Sequence, residues 1–120
     1  MTEARRYNFP KKLHLRAKAD FDAVFDARTK DVRWPLAVHA RANGLGHLRV
    51  GMSVSRKVGI AAKRNRIRRL LREAFRLLQH DFPAGYDLVI VVRPHTPLIL
   101  AEYQKLLAAA VGKLHRTISK

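Results

Sequence analysis

From Lys63 to Arg76 the chain reads Lys-Arg-Asn-Arg-Ile-Arg-Arg-Leu-Leu-Arg-Glu-Ala-Phe-Arg, in which seven of fourteen residues are basic and one is acidic. Guanidinium groups present fixed forks of N–H donors that match phosphate oxygens. The chemistry this stretch supports is therefore anion recognition. Ile67, Leu70, Leu71, Ala74, Phe75 and Leu78 recur at the i, i+3, i+4 spacing of an amphipathic helix. Arg64, Arg68, Arg72 and Arg76 form an i, i+4 ladder, rising about 6 Å per step. Like charges so placed repel one another. Few carboxylates intersperse them, so the face calls for an anionic partner and not only for solvent.

Residues for bond-making are missing. His14, His39, His47, His80, His95 and His115 have no His-x-x-x-His or Glu-x-x-His spacing, so zinc is unsupported. Ser53 and Ser55 lack a Gly-x-Ser-x-Gly setting. The nine carboxylates are dispersed, whereas a protein nuclease needs them clustered around metal ions. Asp22 and Asp26, at i, i+4, read as helix surface. Gly59 stands alone and makes no nucleotide-binding loop. There is no cysteine, which excludes disulfides and thiolate sites and fits a reducing compartment.

A helix from about Ala61 to His80 positions the arginines, ended by Pro83-Ala84-Gly85. The segment Ser53-Val54-Ser55-Arg56-Lys57-Val58-Gly59 leads into it, and its hydroxyls and cations suit phosphate near a helix N-terminus. Alternation predicts a strand over Trp34 to Arg41, with Pro35 near its end, and a second over His47 to Val54. Asn43-Gly44 and Gly46 mark the turn that would join them as an antiparallel hairpin. Tyr86 to Val92 is a nearly continuous β-branched run, a strand of the sheet interior. A short helix capped by Asp20 runs to about Ala27, with Phe21, Val24 and Phe25 on one face. A last helix runs from about Leu98 to Arg116 behind Thr96-Pro97.

The order is α-β-β-α-β-α, an α+β chain built as a two-layer α/β sandwich with helices on one sheet face. The other face, with Phe21 and Phe25 at one edge and His39 on a strand, is partly open. Residues 1–120 form one domain, with 1–14 as a flexible or loosely docked basic arm carrying Arg5, Arg6, Lys11 and Lys12. A net charge of +16 points to nucleic acid first and an anionic membrane surface second. No apolar run is long enough for a secretory signal or a membrane span. The expectation is a cytoplasmic protein.

The Lys63 to Arg76 stretch resembles the Arg-Asn-Arg signature of the protein subunit of bacterial ribonuclease P. The resemblance continues through Arg49 to Gly59, Leu15 to Phe25 and Tyr86 to Pro94, in the family's order. It implies a subunit that assists a catalytic RNA in removing the 5′ leader of precursor tRNA by Mg²⁺-dependent phosphodiester hydrolysis. The RNA would supply the chemistry and hold most of the Mg²⁺, and the protein alone would be non-catalytic. By resemblance, Lys63, Arg64, Asn65, Arg66, Arg68, Arg69 and Arg72 lie near the catalytic RNA and the cleavage site. Phe21, Phe25, His39, Ser53, Ser55, Arg56 and Lys57 would form a cleft for the single-stranded leader. The position of His39 is often tyrosine in the family. The resemblance also implies a small mixed sheet with a left-handed β-α-β crossover, against the general right-handed rule. The expected partners are ribonuclease P RNA and precursor tRNA, with no membrane and no stable protein partner.

Two other functions share these features. A structural RNA-binding protein of ribosomal type has the same charge and size. A DNA-binding module could lay the basic helix in a major groove, but a strand precedes this helix where a helix-turn-helix would have a helix.

Overall fold

The computed structural model describes residues 9–119. In chain order the elements are α1 (Lys18–Asp26), β1 (Lys30–Arg33), β2 (Leu36–Ala42), β3 (Arg49–Val54), α2 (Ala61–Leu78), β4 (Tyr86–Val92) and α3 (Leu100–Ile118). The strands make one mixed sheet in the order β1-β2-β4-β3. β2 runs antiparallel to β1 and β4, and β3 runs parallel to β4. The most apolar strand, β4, thus lies inside the sheet, as its composition predicts.

Helices α2 and α3 cover one sheet face. Ile67, Leu71, Ala74 and Phe75 of α2 and Tyr103, Leu107, Ala110, Val111 and Leu114 of α3 are buried against Leu36, Val38, Ala40, Leu88, Ile90 and Val92. Burying one such large side chain contributes about 1.5–3 kcal/mol, so this face holds most of the core. The opposite face is covered only in part. There α1 packs Val24, fully buried, onto Leu15 and Val89.

The structure departs from the sequence reading in four places. β1, Lys-Asp-Val-Arg, was not foreseen, so four strands form the sheet and the order is α-β-β-β-α-β-α. Its one apolar residue gives no hydrophobic signal, and its charges suit an exposed sheet edge. The expected hairpin of β2 and β3 does not form, because β4 lies between them. Asn43 serves a different turn: its Oδ1 accepts from the Leu45 N–H at 2.8 Å, while its Nδ2 donates to Asp87 of β4 at 2.8 Å. Asp20 is not a cap, since α1 starts at Lys18 behind Ala17 and the Asp20 carboxylate faces Arg49 at 3.6 Å. Nor does Thr96 cap α3, which starts at Leu100 with Ile99 at its N-cap. The loop before it is pinned by the Tyr103 hydroxyl, which accepts from the Leu98 N–H at 3.2 Å.

Of the expected basic arm, residues 1–8, including Arg5 and Arg6, lie outside the described residues. Residues 9–14 are docked. Phe9 stacks on Phe75 at 5.4 Å and on His14 at 4.2 Å, Leu13 is buried, and His14 bridges to Val50 at the β3 edge.

Candidate nucleic-acid interface

Beside the Arg41, Asp87 and Arg49 row, the partly covered sheet face carries two rows of side chains that span all four strands. Register sets Lys30, His39, Val89 and Gly51 across the four strands in one row, and Val32, Ala37, Val91 and Ser53 in the next. Helix α1 lies over the first row. A Cβ at Gly51 would fall 2.5 Å from Phe21 Cζ and 2.9 Å from the Leu15 carbonyl oxygen, so glycine lets the Phe21 ring reach the strand backbone. Phe25 meets His39 edge-on, with centroids 4.8 Å apart. Burial, joined by the cations of Lys30 and Arg93, holds the His39 imidazole below its ordinary pKa. Its Nδ1 is buried without a hydrogen-bond partner.

Helix α2 brings its arginines to this face from one side. Its buried stripe at Ile67, Leu71, Ala74 and Phe75 divides the cations between two flanks. On the sheet flank, Arg64 Nε donates to the Gly59 carbonyl at 3.2 Å, and Arg68 donates to the Asn65 Oδ1 at 3.2 Å and the Val54 carbonyl at 3.4 Å. Arg68 and Arg72 share a hollow of ≈170 Å³ with Phe21, Gly51, His14 and Arg16. On the other flank Arg66 and Arg69 line a separate hollow with Leu70 and Glu73. Arg76 is occupied by Glu73, at 3.0 and 2.5 Å.

The segment before α2 turns through a single 3-10 turn at Arg56–Val58, anchored by buried Val58. Ser55, Arg56 and Lys57 are exposed at the cleft end, and Ser53 is half-buried. Gly59 has φ 151, and a Cβ there would meet Lys63 Cδ at 2.7 Å. The structure therefore gathers Phe21, Phe25, His39, Ser53, Arg68 and Arg72 on one face, with Ser55, Arg56 and Lys57 at its end. It sets Arg66 and Arg69 apart.

Sequence reasoning missed what holds this face. Asp87, wholly buried in β4, accepts from Arg49 Nε at 2.8 Å and Nη2 at 2.7 Å, and Arg41 lies at 3.2 Å. Burial pushes the Asp87 carboxyl up, but hydrogen bonds from Arg49 and Asn43 outweigh it and hold the pKa below the ordinary value. Arg49 also reaches Asp20 and so ties α1 to the sheet. The signal was present: a lone carboxylate in the run Tyr-Asp-Leu-Val-Ile-Val-Val cannot be buried unpaired.

Among the described residues no group of three or more His, Asp or Glu side chains could hold a metal ion. None of their helices is long and apolar enough to cross a membrane.

Residues 9–117 match the family model for ribonuclease P. The chain belongs to the ribonuclease P protein family. It is 36% identical over 114 residues to the ribonuclease P protein component of Desulfovibrio desulfuricans, covering 93% of this chain and 88% of that one. The ribonuclease P protein of Thermotoga maritima superposes with a TM-score of 0.71 at 30% identity, over 80% of this chain and 93% of that one. A Staphylococcus aureus ribonuclease P protein, a mutant with defective mRNA degradation activity, superposes with a TM-score of 0.75 at 26% identity, over 88% of this chain and 90% of that one. As a ribonuclease P family member, the chain has a role in ribonuclease P. The mixed four-stranded sheet and three helices are this family's fold.

Proposed function

We propose that this protein binds the catalytic RNA of ribonuclease P and the 5′ leader of precursor tRNA, and that it assists the RNA in cleaving between leader and tRNA. The observation that carries this reading is the convergence of Arg68 and Arg72 with Phe21 and Gly51 around one hollow. Cations beside aromatic rings in an open groove suit a single strand, whose phosphates need charge and whose bases stack without sequence-specific hydrogen bonds.

The two flanks of α2 divide the work. Arg64, Arg68 and Arg72 face the cleft and meet the substrate strand where leader joins tRNA. Arg66 and Arg69 face away and meet the catalytic RNA, with Lys63 and Asn65 at the entry of the helix. Ser55, Arg56 and Lys57 receive phosphates at the cleft end, and Phe21, Phe25 and His39 contact leader bases. His39 offers a smaller aromatic surface than tyrosine and, held neutral, a hydrogen-bonding ring in place of a cation. Mg²⁺ takes its ligands chiefly from RNA. The protein's cations screen the phosphates that crowd around that ion, and the protein performs no chemical step itself.

The test uses precursor tRNA in low Mg²⁺ with protein alone, cognate catalytic RNA alone, and both. Cleavage is expected only from the pair. Cleavage by protein alone, of precursor tRNA or of an mRNA fragment, would overturn the accessory role. Failure of the protein to enhance cleavage by the cognate RNA would favour the structural RNA-binding alternative.

A further inference from the structure

Among the described residues, one that is not glycine has a left-handed backbone. It is Arg28, in the turn between α1 and β1, with φ 54, a region in which a residue bearing a Cβ is strained. The turn fixes that conformation from both sides. The Arg28 N–H donates to the Phe25 carbonyl at 3.1 Å, and the Ala40 N–H of β2 donates to the Thr29 carbonyl at 2.9 Å. The Thr29 hydroxyl donates to the Ala27 carbonyl at 3.2 Å. A left-handed residue is what stops α1 and turns the chain toward β1, so the fold requires the conformation. It does not require arginine. Glycine adopts this region without strain, and asparagine at less cost.

No contact of the side chain offsets the strain. Arg28 is exposed, and its guanidinium makes no hydrogen bond or ion pair among the described residues. Of the nearby carboxylates, Asp22 is taken by Lys18 and Asp31 by Arg33. Lys30, two residues on, is also exposed and is the register partner of His39, whose ring meets Phe25. The corner thus presents two cations from a rigid turn that begins at Phe25. Strain held by an over-determined backbone clusters where a protein binds or acts. What arginine adds at this position is its planar fork of donors, which matches the oxygens of a phosphodiester. RNA is the polyanion that supplies one to a chain charged +16.

We propose that Arg28 is a phosphate-binding residue: its guanidinium, presented by a strained turn with Lys30 beside it, contacts an RNA phosphodiester. The substrate RNA and the catalytic RNA are two sources of that one chemistry, and the test separates them. This rests on the RNA-binding reading above.

The test sets stability against binding in the same variants. One binding arm uses the catalytic RNA alone; the other uses precursor tRNA and the assembled holoenzyme with cleavage blocked. Arg28→Gly relieves the strain and removes the charge. Its Tm should rise by about 4 °C, while affinity in one arm falls by about tenfold and the salt slope of that arm by about one. Arg28→Lys keeps both the strain and the charge, so its Tm and salt slope should match wild type and its affinity stay within about threefold. A loss with the catalytic RNA alone assigns the phosphate to that RNA; a loss confined to the holoenzyme arm assigns it to the substrate. Unchanged affinity of Arg28→Gly in both arms overturns the proposal. So does a lowered Tm, which would make the arginine structural, or a loss in Arg28→Lys as deep as in Arg28→Gly. If the wild-type protein binds neither RNA, the RNA-binding reading falls and the proposal with it. Normal wild-type binding beside an unaffected Arg28→Gly variant overturns the proposal alone.

Discussion

Asp87 is the one charged side chain buried in the described residues, and it is tolerable there because Arg49, Arg41 and Asn43 surround it. Removing Arg49 strands the carboxylate. Arg49→Ala should destabilise the fold by about 3 kcal/mol, at the low end for breaking a buried pair because Arg41 and Asn43 remain; chemical denaturation measures it. The pH dependence follows from the depressed pKa. The folded protein binds this proton less readily than the unfolded chain does, so the contribution of Asp87 is complete above about pH 4 and is lost as pH falls through the lower folded value. The stability gap between wild type and Arg49→Ala should therefore narrow in acid. His39 has the same sign for a different reason. Burial favours its neutral form, so stability is complete above about pH 6.5 and declines below it. His39→Asn should flatten the profile of Tm between about pH 5 and 7, and an unchanged slope would mean that another group titrates there.

At the scale of elements, the cleft is the gap between α1 and the sheet, and two contacts set its width. One is Arg49 bridging Asp20 of α1 to Asp87 of β4. The other is the ring of Phe21 seated on Gly51. Gly51→Ala should cost about 1–3 kcal/mol by overpacking, because the new Cβ meets a backbone carbonyl as well as the movable ring. It should also weaken leader binding, by displacing Phe21, while Arg66 and Arg69 still engage the catalytic RNA. Comparing affinities for precursor tRNA and for catalytic RNA alone checks this. Helix α2 is set by its apolar stripe, not by its charges. Leu71→Ala should cost about 2–5 kcal/mol, whereas Arg69→Ala and Arg72→Ala should leave the fold intact, having no hydrogen-bond partner among the described residues.

For the whole molecule, a charge of +16 makes binding salt-dependent through counterion release. Arg64→Ala with Arg68→Ala should lower RNA affinity, by about 1–3 kcal/mol for each lost phosphate contact, and reduce the salt slope by about one per contact. The circular-dichroism spectrum should not change, since Arg64 bonds only to the Gly59 carbonyl and Arg68 only to the Asn65 side chain and the Val54 carbonyl; a lost helical signal would mark them as structural. The sequence by itself determined the three helices, the three apolar strands, the buried stripe of α2 and the chemistry of its exposed arc. Those follow from local periodicity and charge, which act over a few residues. Tertiary structure alone decided that β4 enters between β2 and β3, because strand order depends on which apolar runs can be buried on both faces at once. It decided that a charged tetrapeptide becomes β1, because an edge strand needs a neighbour more than hydrophobicity. It also divided the arginines of α2 into two flanks. Periodicity places them all outside the apolar stripe, and only packing against β3 on one side and α3 on the other makes the flanks different.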